Sequence, residues 1–241
     1  MRMDYTQRSQ AWVDNHYRES KARGGVGWAH IPDKNREAAD RLARLVQDYG
    51  PRGGRMLEIG TGAGDFALLA AQKGLFDEIH GVDISEVAIA WAREKAKASN
   101  LAADFRVGSA VDLLLYTNDF FDVVWSVASL HWIIGDEDRR DCLASVHRVL
   151  KPGGRFYVWT SGRSTEVIEP SNAKGESYFE PESGLLIRNA LPYFHLKLPE
   201  EVLFEIGDAG LSVLHWEVDE RDEDDGAYFS GPLIVVAAKP C

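Results

Sequence analysis

Residues 56–64 read MLEIGTGAG, an apolar run that ends in glycines spaced G-x-G-x-G at Gly60, Gly62 and Gly64. Glycine accepts positive φ and lets the backbone come close to a ligand. A helix starting there would aim its first N–H groups and the positive end of its dipole at whatever the turn receives. Such turns also serve NAD, flavins and nucleoside phosphates, so the glycines alone imply only a nucleotide-like ligand. Spacing narrows this, because the third glycine comes one residue early for the dinucleotide fingerprint G-x-G-x-x-G. Charge narrows it further. Glu58 precedes the first glycine and Asp65 follows the third. Two carboxylates repel a pyrophosphate and suit a ligand with positive charge, a sulfonium or an ammonium. Asp83 follows Gly60 at an offset of roughly 20 residues, where a strand-end carboxylate accepts hydrogen bonds from ribose hydroxyls. The competing reading of Asp83 is a contributor to the next helix's N-cap.

Proton transfer directs attention to His131, in SVASLHWI just beyond a strongly apolar run. An ordinary imidazole titrates at about 6.5, which suits a general base near neutral pH. The competing role is packing or hydrogen bonding against the following helix. His16, His30 and His195 are lesser candidates. His147 is expected to be solvated on a helix, and His80 and His215 to be structural within strands. Trp12, Tyr17, Trp28, Trp132, Tyr178, Phe179, Tyr193 and Phe194 could line an apolar or cation-stabilising pocket. Ordinary packing is the alternative for each. As a set they favour a small organic substrate over a polymer.

These residues need strands that end at a common edge. Short apolar runs at 55–59, 78–82, 105–107, 120–127 and 155–160 alternate with helical patterns at 65–73, 85–99 and 138–150. Ser85 is predicted as the N-cap of the second of these helices. A further helix is predicted over 35–49. This alternation predicts an α/β fold, a doubly wound and mostly parallel seven-stranded sheet with helices on both faces. After a helix at 199–209, runs at 211–218 and 227–237 predict an antiparallel C-terminal hairpin at one sheet edge. The acidic run at 219–225, DERDEDD, reads as a solvated loop between them; the alternative is a cation- or partner-binding loop. Residues 161–198 break the rhythm with Pro170, Pro181 and Pro192. They are read as an insertion covering the open end of the sheet, within one domain spanning 35–241.

Composition sets outer bounds. Of 241 residues, 45% are hydrophobic and 27% charged, as in soluble globular proteins. No run approaches about 18 apolar residues, so no membrane-spanning helix is expected. The opening MRMDYTQRSQ does not read as a secretory signal. Cys142 and Cys241 have neither CxxC nor Cys/His spacing, so no disulfide framework and no metal site are expected. A cytoplasmic setting follows. The net charge of −11 disfavours nucleic acid as the main partner. A monomer and a homodimer are both compatible.

LEIGTGAG, GVDIS, FDVVWSVASLHWI and HRVLKPGGRFYVW, in that order, resemble the class I (seven-stranded Rossmann-like) S-adenosylmethionine-dependent methyltransferases. The resemblance runs over residues 36–160 and more weakly to 238. Within the class it is nearest the small-molecule group with E-x-G-x-G-x-G. It implies that S-adenosyl-L-methionine is the cofactor, and that Gly60, Thr61, Gly62 and Gly64 hold its methionine end. Glu58 would order this loop and contact the amino group. Asp83 would bind the ribose, and Ile84 would pack on adenine. The group often has Gly-Asp-Ala after the third strand. Here Gly108, Ser109 and Ala110 stand there, so a shorter neutral hydroxyl would meet the adenine amino group. Ser126 would sit beside the transferring methyl. Residues 1–34 would form an N-terminal lid segment. The implied activity is in-line methyl transfer to O, N, C or S of a small organic molecule. The alternative is a cyclase or isomerase that binds the same cofactor without transferring methyl.

Overall fold

The structure is a computed structural model that describes residues 5–24, 32–162, 177–180, 182–188, 191–218 and 232–241. Two helices lead in, α1 (Tyr5–Ala22) and α2 (Pro32–Tyr49). An alternating series follows: β1 (Arg55–Ile59), α3 (Asp65–Gln72), β2 (Glu78–Asp83), α4 (Glu86–Ala98), β3 (Asp104–Val107), β4 (Phe121–Val127), α5 (Asp136–Val149) and β5 (Leu150–Ser161). A three-stranded antiparallel sheet comes next, made of β6 (Ser177–Glu180), β7 (Leu185–Arg188) and β8 (Leu191–His195). The chain closes with α6 (Pro199–Asp208), β9 (Ser212–Val218) and β10 (Pro232–Ala238).

The main sheet has the order β3-β2-β1-β4-β5-β10-β9, with β1 to β5 parallel and β10 antiparallel to both its neighbours. The order reverses at β1, whose partners are β2 on one side and β4 on the other. A crevice opens outside the carboxyl ends at such a reversal, and ligands bind there. Both sheet faces are buried. Leu57, Ile59, Val124 and Val158 face a core shared with α5 and α6. Met56, Val123, Trp125 and Tyr157 face a second core shared with α2, α3 and α4. This two-sided burial explains why the inner strands read as continuous apolar runs. The same logic orders the C-terminal pair. Leu233–Ala237 is uniformly buried and takes the inner place beside β5, whereas the more exposed β9 takes the edge.

The element expectations differ from the structure in three places. The segment 1–34 carried no predicted helix, yet α1 spans 18 residues. Its apolar residues are too few to make a periodic stripe, and contact with α4 supplies what propensity does not. Next, β5 starts at Leu150 and takes Lys151-Pro152-Gly153-Gly154 into a strand, with a register shift between Phe121 and Val123 of its neighbour. Finally, residues 161–198 hold strands that the sequence reading did not assign. Trp28, His30 and the acidic run 219–225 lie outside the described residues, as do the side chains of Tyr178, Phe179 and Tyr193. Both cysteines are free thiols, Cys142 buried and Cys241 exposed.

Candidate active site

At the sheet's reversal β1 turns through Gly60–Gly64 into α3. Gly60, Gly62 and Gly64 have φ of +65°, +54° and +77°, a region that strains any side chain. Space also forbids one: a Cβ on Gly62 would lie 2.2 Å from the Tyr17 hydroxyl, and on Gly60 2.4 Å from Cβ of Ser129. The turn is tied to the end of β2. Thr61 N donates to Val82 O at 3.0 Å, and Gly62 N donates to Asp83 Oδ2 at 2.9 Å. Asp83 Oδ1 accepts from Ser85 N at 2.9 Å, and Ser85 Oγ accepts from Ala88 N at 3.0 Å as the N-cap of α4. Asp83 therefore fills the competing role weighed for it, at the N-cap of the next helix. It braces the start of α4, and as a carboxylate it keeps further lone pairs for a ligand's hydroxyls. Burial raises its pKa, against the two backbone donors that favour the charged form.

The carboxylates on either side of the turn do not act as the sequence suggests. Glu58 is fully buried, and its Oε2 accepts from Thr61 Oγ1 at 2.6 Å and from Ala67 N at 3.1 Å. It thus locks the turn onto the first residues of α3. Burial pushes its pKa up to about 8, so near neutral pH it is mostly protonated. Asp65 pairs with Lys95 at 2.6 Å. The expected pair of negative charges flanking the turn is therefore corrected: burial disfavours the charge on one, and a lysine partners the other. Asp83 remains as the carboxylate bonded to the turn itself.

Across the crevice, β4 ends at Val127 and the chain turns sharply. Ala128 has φ +51°, an unusual state for a residue with a Cβ and one that collects at functional sites. Ser126 is fully buried, with its Oγ 2.8 Å from Ser129 Oγ, and Ser129 Oγ donates to Ile59 O at 2.9 Å. This chain of hydroxyls fastens the end of β4 to the end of β1. Ser129 was missed by sequence reasoning. The signal for it was its place three residues after Ser126 in SVAS.

α1 covers the turn from the other side. Tyr17 is buried with Ala63, Ala88 and Trp91. Burial, with the nearby carboxylates of Asp83, Asp65 and Glu58, holds its phenol well above the usual tyrosine range. Asp14 Oδ1 accepts from Ser85 Oγ and, at 3.3 Å, from Val87 N, which anchors α1 to the start of α4.

Residues 57–158 match a family described as a methyltransferase domain. A ubiquinone biosynthesis O-methyltransferase of Pseudomonas paraeruginosa is 30% identical over 173 residues, covering 72% of this chain and 71% of that protein. The chain belongs to the class I S-adenosylmethionine-dependent methyltransferases. A ubiquinone/menaquinone biosynthesis C-methyltransferase of Geobacter sulfurreducens is 37% identical over 108 residues, 44% of this chain and 41% of that one. The chain spans about half the length of most curated relatives it matches. Among solved structures, an S-adenosylmethionine-dependent methyltransferase from Clostridium acetobutylicum shares the fold at a TM-score of 0.70 and 16% identity, over 94% of this chain and 98% of that one.

In methyltransferase terms, the crevice residues suit S-adenosylmethionine. The turn admits no side chain at Gly62, and Asp83 retains acceptor capacity. Of the residues expected beside adenine, Ile84 is half-buried next to Asp83. Ser109 Oγ accepts from Val111 N at 3.0 Å, and Ala110 is packed against the core. The hydroxyl of Ser109 thus already braces its own turn, and its second lone pair is what remains for an amino group. Asp112 is exposed.

The histidines sort by burial. His131 is buried; its Nδ1 lies 3.2 Å from Thr160 Oγ1 and accepts from Ser161 N at 3.3 Å. Burial, with the Arg139 guanidinium, lowers its pKa to about 3. With Nδ1 accepting, the network assigns the proton of the neutral ring to Nε2. Its one basic nitrogen is occupied by Ser161 N, so a general-base role has no geometric support. Arg139, also missed in the sequence, holds this turn: its Nη1 donates to Leu130 O at 2.8 Å and its Nε to Glu205 at 3.0 Å. His195 Nδ1 accepts from Gly135 N at 3.2 Å, and burial lowers its pKa to about 4, so it fastens β8 to the start of α5. His147, expected in solvent, is half-buried near Gly210. His80 sits among Tyr116, Phe120 and Phe121, and His215 stacks on Tyr49. Among the described residues no cluster of His, Cys, Asp and Glu could hold a metal ion, and no helix is long and apolar enough to cross a membrane.

Proposed function

We propose that this protein transfers the methyl group of S-adenosyl-L-methionine to a small organic acceptor. The observation that carries the reading is the Asp83 carboxylate bonded to Gly62 N at the sheet's reversal. There a turn whose glycines leave no room for side chains and a carboxylate with lone pairs for ribose hydroxyls share one crevice. When bound, the cofactor supplies an electrophilic methyl on a sulfonium that is already a good leaving group.

The chain's own residues then bind and orient. Gly60, Thr61, Gly62 and Gly64 cradle the methionine end with backbone. Glu58 keeps that backbone in place through Thr61 and Ala67. Asp83 accepts the ribose hydroxyls, and Ile84, Ser109 and Ala110 border the base. Ser126, with Ser129, fixes the strand ends on either side of the reacting centre. From the described parts of the lid segment and the insertion, α1 and β8 help exclude water and place the acceptor atom in line, about 3–3.5 Å from the carbon it attacks. His131 serves as a neutral positioning residue.

The test is incubation of the purified protein with methyl-labelled S-adenosylmethionine and a panel of small phenols, amines and thiols, read by mass spectrometry. Label in a product together with S-adenosylhomocysteine is the expected result. Turnover without label would favour the cyclase alternative and overturn the reading.

A further inference from the structure

The seven-stranded sheet ends in two edges that are guarded differently. β3, at one edge, has four residues, and its Asp104 and Arg106 pair with each other at 2.6 Å. A short strand carrying charge is one way a protein keeps a free edge from pairing with another chain. β9, at the other edge, has seven residues, SVLHWEV, and among the described strands it neighbours β10 alone. Its one acidic residue, Glu217, is held by Arg41 at 2.8 Å and lies 3.6 Å from His215. Val213, Leu214 and Trp216 are 37%, 45% and 50% exposed. An apolar edge of this length is a template for a further strand.

A bulge protects part of that edge. The register to β10 shifts between Val236 and Ala237, which leaves Leu214 as the extra residue of β9. Residues 215–218 pair one to one with β10 and form the regular part. There side chains alternate between the faces. His215 and Glu217 lie on the α2 side, against Tyr49 and Arg41, and Trp216 lies on the other.

This regular stretch is complementary to itself. In an antiparallel pair directly opposite residues share a face, so a two-fold axis normal to the sheet must pass through a residue. An axis at Glu217 would oppose two carboxylates, and an axis at His215 two imidazoles; like groups so placed repel when charged. An axis at Trp216 opposes His215 of each copy to Glu217 of the other, and sets two exposed indoles against each other. We propose that this protein forms a two-fold dimer by antiparallel pairing of β9 with β9 of a second copy, centred on Trp216. Such an interface uses the same patch twice and closes at two copies. β4, β5 and β10 separate β9 from β1, so the new contact lies away from the sheet's reversal.

The experiment is sedimentation velocity on the full chain over a range of micromolar concentrations. The expected species has twice the 26.9 kDa mass of one chain. Trp216→Lys puts two ammonium groups on the axis and should raise the dimer dissociation constant roughly tenfold, with the circular dichroism unchanged. Trp216→Thr, a β-former without the ring, should act in the same direction, so the test does not rest on one variant's folding. Leu114→Lys, the same change at an exposed leucine between β3 and β4, should leave the dimer intact. Glu217→Lys should weaken the dimer roughly threefold, and adding His215→Glu should recover it, because the swap keeps unlike charges across the axis. A single-chain mass at every concentration, assembly beyond two copies, a dimer indifferent to the folded Trp216 variants, an equal loss in Leu114→Lys, or no recovery in the double variant would overturn the inference.

Discussion

The two halves of the crevice are built by different means. The half proposed for the cofactor is backbone held by carboxylates: a glycine turn, a strand end and helix starts, joined by hydrogen bonds from backbone N–H groups to Glu58 and Asp83. The region where α1 and β8 meet the turn after β4 is side chains: rings delivered from segments far apart in sequence. Backbone geometry is held by the whole sheet and tolerates little change. Ring contacts are individually weak and can be exchanged one at a time. A fold can therefore keep one cofactor and vary its acceptor by changing the second half alone.

The largest effect should come from breaking the cofactor half at its centre. Asp83→Ala removes charge-assisted hydrogen bonds worth about 1.5–3 kcal/mol each, so S-adenosylhomocysteine affinity should fall roughly ten- to hundredfold. Calorimetry on the folded variant checks this, and wild-type affinity would dismiss the ribose role. Gly62→Ala should come next, destabilising the chain by about 1–3 kcal/mol through its positive φ and its clash with Tyr17. Adding Tyr17→Phe should recover part of that loss in a denaturant titration. Strict additivity of the two changes would show that the hydroxyl is not what crowds Gly62.

Smaller effects concern protons. The Glu58 pKa is raised to about 8, above the ordinary carboxylate value of an unfolded chain. Between those values the folded chain holds a proton that the unfolded chain lacks. This group's stabilisation is therefore present at low pH and is lost as pH rises through about 8. A cofactor ammonium nearby would favour the carboxylate. Binding should then release protons near neutral pH and tighten as pH rises toward 8. Calorimetry in buffers of different ionisation enthalpy would count the protons, and Glu58→Gln should abolish the release. Least of all should happen at His131. Its pKa, lowered to about 3, predicts no imidazole inflection at pH 6–7 in kcat/KM, and His131→Gln should leave cofactor affinity intact. An inflection there that vanished in the variant would restore the general-base role.

Legibility in the sequence followed locality. The strand-turn-helix at 55–72, the Ser85 cap and the parallel order were readable because each rests on a short window: period, glycine spacing, a capping serine. α1 was not readable, since its few apolar residues find their partner only on α4. The β6–β8 sheet also escaped, because three prolines and scattered aromatics between 161 and 198 give no clean alternation. Arg139 carries no local signal, yet it is buried and bonded to both Leu130 and Glu205.

What the sequence by itself determined is the glycine turn and the strand-end carboxylate beside it. Gly60, Gly62, Gly64 and Asp83 act through backbone conformation and strand position, and these follow from residues close along the chain. What only the tertiary structure decided is charge and company. Glu58 is buried with its pKa raised to about 8, Asp65 is paired with Lys95, His131 accepts from Ser161 N, and Trp12 reaches Trp132. Desolvation and ring contact depend on which distant segments arrive at the same place, and no local window records that.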